Sequence, residues 1–300
     1  IGVARCPFLH LTRFDWDHVN MSNPQPAGLH PIRRESFRLL VTGQTKGRWL
    51  YGEDIGPEAA HHIFVCLPGI LETRTSFDEL IAHLGRDYRL FVLDWPGRGK
   101  SDPLQDSSDY CMSQYLQDFG IVYAHIQGRL EASQSRGLSF GLFRSPKPKR
   151  VHLVGTSMGG LLAMFFARYP STPITSVVLN DVGCLLPWSG ILGLMTGLQG
   201  VTKGSALLGQ TQDLARELDV DPRLLRAVQA PGHLDLPHET TLQGVDFGDV
   251  FREVGLPILV LKGEESEIVN DVAAEHLTGC HPNTTIVSVP GAGHPVHYSQ

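Results

Sequence analysis

The stretch Val151-His152-Leu153-Val154-Gly155-Thr156-Ser157-Met158-Gly159-Gly160 decides how this chain is read. A short apolar run leads into a serine flanked by glycines. Leu161, Leu162, Met164, Phe165 and Phe166 then recur at helical spacing until Pro170 stops the pattern. The reading is strand, sharp turn, helix. A serine at such an apex takes a strained backbone conformation, and the neighbouring chain passes so close that side chains two residues to either side would clash, so Gly155 and Gly159 are a steric requirement. The hydroxyl then stands exposed where a strand ends and a helix begins, and unpaired amides and the helix dipole there favour developing negative charge.

Outward from this turn, apolar runs alternate with helical patterns. Residues 36–42 and 48–52 read as strands of an antiparallel hairpin, joined through the glycine-bounded turn 43–47. Residues 63–67 are a continuous apolar run, as a strand buried on both faces should be, 90–93 reads as the next buried strand, and 176–180, 257–261 and 285–289 read as further strands. Helical spacing lies between them, at Phe77, Leu80, Ile81 and Leu84, over 115–126, and over 272–277. The fold class expected is α/β, a mainly parallel sheet flanked by helices, with functional groups on loops at the carboxyl ends of the strands. Residues 127–150 read as a polar insertion with four basic residues near its end, best taken as a solvated loop.

Residues 183–245 break the alternation. Leu185, Leu186, Trp188, Ile191, Leu192, Leu194 and Met195 make one apolar segment, residues 213–228 a helical one, and no buried-strand pattern appears. The organisation expected is an α/β core over 36–182 and 246–300, a helical cap over 183–245, and a poorly ordered extension over 1–35. Residues before Met21 read as upstream or disordered sequence. Leu185, Trp188, Leu192 and Met195 are candidates for the apolar wall of a pocket above Ser157.

Composition narrows the function. A net charge of -6 argues against nucleic acid as a partner, because phosphate contacts need a basic face. The 5 cysteines are odd in number and widely spaced, which reads as neither a disulfide framework nor a zinc ligand set, so no metal is expected and a reducing, cytoplasmic setting fits. No apolar run reaches the ~18–20 residues that span a bilayer. Gly99-Lys100-Ser101 imitates the end of a phosphate-binding loop, but Asp94 occupies the required upstream glycine position and no helix pattern follows.

A serine hydroxyl is a poor nucleophile at neutral pH and needs an imidazole to take its proton and a carboxylate to orient that imidazole. His294 is the candidate base, on the glycine-rich loop 290–295 directly after the last strand. His61, His62, His233, His238 and His281 read as surface or packing residues. For the acid, Glu267 follows the strand 257–261 and Asp181 follows the strand 176–180; Glu267 is preferred, with Asp181 the alternate. The amide of Met158 is offered to an oxyanion by the turn itself, and a second donor is expected from the loop at Gly69-Ile70.

These residues together resemble the α/β-hydrolase fold superfamily from about Ser36 to His294. The features that carry the likeness are Pro68-Gly69 with Phe77 beyond it, the loop Asp94 to Asp102, the Gly-x-Ser-x-Gly elbow, Asn180-Asp181-Val182-Gly183, and the Gly-Ala-Gly-His-Pro terminal loop. The resemblance implies Ser157 as nucleophile, His294 as base and then acid, Glu267 as orienting carboxylate, Met158 and Ile70 as oxyanion donors, and 183–245 as cap. The chain departs from the family pattern at Pro68, where a His is usual, and at Glu267, where an Asp is commoner. Only six residues follow His294, which suggests a chain that ends early.

The function expected is a serine hydrolase acting on a small ester or related acyl substrate, without metal or organic cofactor. A carbon–carbon bond hydrolase, a lactonase or a cofactor-free haloperoxidase on the same fold are alternatives, as is a non-catalytic binding protein. Oligomeric state is not legible.

Overall fold

Four apolar runs, β3 (His62–Leu67), β4 (Arg89–Leu93), β5 (Arg150–Thr156) and β6 (Ser176–Asn180), form the middle of a sheet whose two faces are covered, and almost every residue in them is buried. The structure is a computed structural model and describes residues 31–42, 47–138, 149–169, 172–193, 196 and 208–299. Around the middle strands lie β1 (Arg34–Val41) and β2 (Arg48–Ile55) on one side and β10 (Ile258–Gly263) and β11 (Thr284–Val289) on the other. The order is β1-β2-β4-β3-β5-β6-β10-β11, antiparallel through β2 and parallel from β4 onward. Residues 32–300 cluster as one compact unit.

The order reverses between β3 and β5, since the chain runs outward from β3 to β4 and then returns to β5 on the other side. A crevice opens at the carboxyl ends of strands where such a reversal occurs. Register brings the strand ends level: Leu67 pairs with Gly155, Thr156 with Asn180, Asn180 with Leu261, and Gly263 with Val289.

Helices α1 (Asp78–Leu84), α2 (Met112–Leu138) and α3 (Met158–Ala167) cover the sheet. Phe119 and Tyr123 of α2 meet Phe166 of α3 at ring separations of 4.6 and 5.0 Å, edge-to-face geometry favoured by ring quadrupoles. α2 runs well past residue 126, because Leu130 is buried and Gly128 faces open space, so a glycine there breaks no contact. The solvated loop expected over 127–150 is therefore helix to Leu138, and residues 139–148 lie outside the described residues. Lys149 caps the carbonyls of Glu58 and Ala60, at 3.2 and 2.6 Å.

The segment after β6 is more than helical. β7 (Leu185–Pro187), β8 (Glu239–Thr240) and β9 (Gly244–Asp246) form a small antiparallel sheet in the order β7-β9-β8. These strands are two or three residues long, too short to leave a period-two pattern. Between them lie a helical segment over 188–193, α4 (Leu208–Glu217) and α5 (Pro222–Ala227), the last started by the Asp221 side chain on the Arg223 amide with Pro222 at the first helical position. The chain returns through α6 (Gly248–Glu253), α7 (Asp271–Cys280) and α8 (Val296–Ser299). β1 begins at Arg34, two residues inside the expected extension, and residues 1–30 lie outside the described residues.

Candidate active site

Ser157 sits at φ 49°, ψ -118°, directly before α3, in a region that L residues rarely visit. The strain is held in place by backbone. A Cβ at Gly159 would fall 2.1 Å from the Leu67 carbonyl oxygen and 2.6 Å from that of Pro68, and one at Gly155 would fall 2.5 Å from Gly159 itself. The amino end of α3 is thus pressed against the exit of β3, and the Ser157 amide donates to the Asn180 carbonyl at 3.1 Å.

Asp181, one residue beyond β6, is also a left-handed residue, at φ 54°. Its Oδ1 accepts the Gly263 amide at 2.9 Å, and its Oδ2 accepts the Ser266 hydroxyl at 2.5 Å and faces His294 Nδ1 at 2.8 Å. The carboxylate is fully buried while the imidazole is 23 % exposed. A carboxylate accepts, so Nδ1 carries the proton and the lone pair lies on Nε2 at the opposite edge of the ring. The preference for Glu267 over Asp181 as the partner of His294 is corrected here: Glu267 is exposed and no hydrogen bond joins it to His294. The physical reason is its neighbour Ser266, which turns inward to donate to Asp181 and to accept the amides of Ile268 and Val269 at 3.1 Å each, leaving Glu267 outside.

The loop after β3 is built from groups the sequence reading did not single out. Arg98, fully buried, donates through Nε and Nη2 to the Ile70 carbonyl at 2.9 and 2.6 Å and lies over the Tyr115 ring. Glu72 accepts the Gly69 amide at 2.7 Å, so that amide is spoken for and the Ile70 peptide is fixed from both sides. Burial holds the Glu72 carboxyl above the usual carboxylate range, against the Gly69 amide, the Ser76 hydroxyl and the nearby His294. His297 stacks on Phe77 and lies 2.5 Å from the Asn180 amide nitrogen; burial, with His294 beside it, pushes its pKa down to about 4. No spacing in the sequence marks Arg98 or His297, because each acts through a partner from another loop, and Glu72 becomes significant only once the loop after β3 folds back on it.

A cavity of about 430 Å³ opens at Ser157, Met158 and Ile70. Its wall is mainly apolar, with Met112, Leu161, Val182, Leu186, Trp188, Ile191 and Val228 among the lining residues. Of the four pocket candidates, Trp188 lines it. Leu185 does not: it is buried in the core, and strand alternation turns its neighbour Leu186 to the cavity instead. Leu192 is 62 % exposed, and Ile191 takes its place. Met195 lies outside the described residues. His233, expected as packing or surface, is buried in the cavity wall; its Nδ1 donates to the Tyr110 carbonyl at 2.8 Å, so Nε2 is an acceptor, without a partner among the described residues. Burial, with Arg98 nearby, holds its pKa down to about 4.

The Gly99-Lys100-Ser101 turn is closed to phosphate. The Lys100 amide donates to Asp94 Oδ2 at 3.0 Å, and a Cβ at Gly99 would strike the same carboxylate. Among the described residues no helix is long and apolar enough to cross a membrane.

Residues 64–300 match the model of the alpha/beta hydrolase family, and the chain belongs to that family. It is 26 % identical over 269 residues to 3-hydroxybutyrate-oligomer hydrolase of Cupriavidus necator, covering 80 % of this chain and 84 % of that protein. It is 27 % identical over 231 residues to 2-hydroxy-6-oxononadienedioate/2-hydroxy-6-oxononatrienedioate hydrolase 2 of Pseudomonas putida, covering 70 % and 72 %. Its fold is similar to that of an alpha/beta hydrolase from Novosphingobium aromaticivorans, with TM-score 0.63 and 23 % identity over 89 % of this chain and 94 % of that one.

Proposed function

We propose that this protein is a serine hydrolase that cleaves a carboxylic ester or related acyl substrate through an acyl-enzyme, with Ser157 as nucleophile, His294 as general base and then acid, and Asp181 as the orienting carboxylate. The observation that carries the reading is the hydrogen bond from His294 Nδ1 to buried Asp181, one strand end from a serine held at positive φ. That bond selects the tautomer whose Nε2 can accept the serine proton. Ser157 attacks the acyl carbon, the proton passes to His294 and on to the leaving alcohol, and water then repeats the sequence to release the acid. The amides of Met158 and Ile70 stabilise the oxyanion, the first because a helix leaves its opening amides unpaired, the second because Arg98 and Glu72 fix its loop.

Residues 183–245 act as a cap, and Leu186, Trp188 and Ile191 from its first part give the acyl site its apolar wall. The same wall favours an ester over the carbon–carbon reading that the Pseudomonas putida relative suggests. A dioate carries two carboxylates, which call for cationic partners, and no Lys or Arg is among the described residues lining the cavity.

A fluorophosphonate probe tests the proposal together with p-nitrophenyl esters of rising acyl length. Covalent labelling of the wild-type chain is expected, with loss of labelling and of about 10⁶-fold in kcat for Ser157→Ala. Undiminished esterase activity in S157A refutes the assignment, and a flat length profile refutes the apolar acyl site.

A further inference from the structure

Away from the catalytic cavity, three segments distant in order bring together a set of soft and borderline donors. Cys184 lies between the Asp181 loop and β7, Asp246 ends β9, and His276 and Cys280 are one turn apart on α7. The Cys184 and Cys280 sulfurs and a His276 ring nitrogen all lie within 4.8 Å of one another. His276 Nε2 is 3.6 Å from Cys280 Sγ and 2.9 Å from Asp246 Oδ2. Tetrahedral zinc, with Zn–S near ~2.3 Å and Zn–N near ~2.0 Å, sets its sulfur and nitrogen ligands about 3.6 Å apart.

We propose that Cys184 Sγ, Cys280 Sγ and a His276 ring nitrogen form a three-ligand site for a divalent cation of the zinc class, completed by a water molecule, with Asp246 beside the imidazole. Two thiolates and an imidazole favour zinc over calcium or magnesium, which prefer all-oxygen shells. On binding, the two thiols release their protons to solvent and the metal forms two bonds to sulfur, one to nitrogen and one to a water oxygen, with no change of oxidation state. The surroundings fit a second layer of support. Gly248 donates its amide to Asp246 Oδ1 at 2.7 Å, which leaves Oδ2 to face His276. A Cβ at Gly248 would fall 3.0 Å from both Asp246 Oδ1 and Cys280 Sγ, a tight approach that glycine avoids. With zinc bound the two thiolates balance its charge, and Arg252 Nη2, 3.6 Å from Cys280 Sγ, is placed to donate to one of them. Cys184 and Cys280 are buried while His276 keeps 31 % of its side chain exposed, an entry path for the ion.

The site would join the start of the inserted segment to α7, beside the loop that carries Asp181. It was hidden from the sequence reading because the cysteines are far apart in order; the signal available was the helical i, i+4 pair of His276 and Cys280.

The test is titration of the reduced, metal-stripped full chain with Co²⁺, followed by competition with Zn²⁺. Expected are one equivalent of Co²⁺, a thiolate-to-cobalt charge-transfer band with tetrahedral d–d bands, their bleaching by Zn²⁺, and a Tm that rises with Zn²⁺. His276→Ala, chosen because its ring is partly exposed, and Cys280→Ser should each weaken Co²⁺ binding by about 100-fold or more. Cys111→Ser should leave binding unchanged. Far-ultraviolet circular dichroism checks that H276A is folded. Absence of the charge-transfer band in a chain whose thiols are titratable overturns the site. Persistence of the band in H276A and C280S, or a Cys184–Cys280 disulfide found by peptide mapping in a chain that binds no metal after reduction, overturns it equally.

Discussion

Ser157 and Asp181 stand at the ends of adjacent parallel strands, at φ 49° and 54°, and both are unusual for residues with a side chain. They are held there by different means. Around Ser157 the constraint is steric, with the Leu67 and Pro68 carbonyls leaving no space for a Cβ at Gly159. Around Asp181 it is a set of hydrogen bonds, from the Gly263 amide, the Ser266 hydroxyl and His294. A steric mould has to be written locally, as glycines. A hydrogen-bonded seat is supplied from loops more than eighty residues on, |i−j| 82 for Gly263 and 85 for Ser266, and leaves no local mark.

The largest test of the contrast is Asp181→Asn. An amide in that seat disturbs the imidazole tautomer without removing the side chain, and kcat is expected to fall by about 10⁴-fold with the fold retained. Full activity in D181N would mean that His294 is oriented by something else. Gly159→Ala attacks the steric side. The methyl meets two backbone carbonyls that cannot rotate away, and a loss on the order of 3 kcal/mol is expected in denaturant unfolding. A midpoint equal to wild type would mean that the loop after β3 gives way freely.

A third test concerns the strand that carries the elbow. His152 of β5 is buried between His62, 2.9 Å from its Nε2, and Ser176, 2.7 Å from its Nδ1. Burial first, and His62 second, lower its pKa from 6.5 to about 3. Above pH 6.5 it is neutral folded and unfolded, and its contribution is fully present. As pH falls below 6.5 the unfolded chain takes up a proton that the folded chain refuses until about pH 3, so stability is lost across that window, on the order of 4 kcal/mol. His152→Leu should flatten the fall of Tm with acidity, whatever its effect at neutral pH; an unchanged slope would assign the acid loss to other groups. The smallest effect belongs to Glu267→Gln, expected to leave kcat within about twofold, because an exposed carboxylate without a bond to His294 orients nothing. A large loss in E267Q beside a mild one in D181N would reverse the assignment of the acid.

The same division explains what was legible beforehand. The buried strands announced themselves as apolar runs, and the elbow announced itself through Gly155 and Gly159, so the α/β architecture and the positions of Ser157 and His294 at strand ends followed from sequence. Leu185 and Leu186 were indistinguishable by composition, and only the pairing of β7 with β9 decides which one meets the cavity. Asp181 and Glu267 were equally available from order alone, and only the folded loop, with Ser266 turned inward to Asp181, shows which carboxylate faces His294. Arg98 and Glu72, which fix the Ile70 loop, are ordinary charged residues until the loop after β3 is folded around them.

β11 is the outermost strand of the sheet and has a neighbour on one side only, yet the chain that leaves it carries His294. Ser157 is embedded where both flanks are paired, whereas the imidazole hangs from a margin. On the proposed roles, turnover is therefore more fragile than the fold itself: whatever frays the β10–β11 ladder displaces His294 while the elbow, on the fourth strand from that border, keeps its shape.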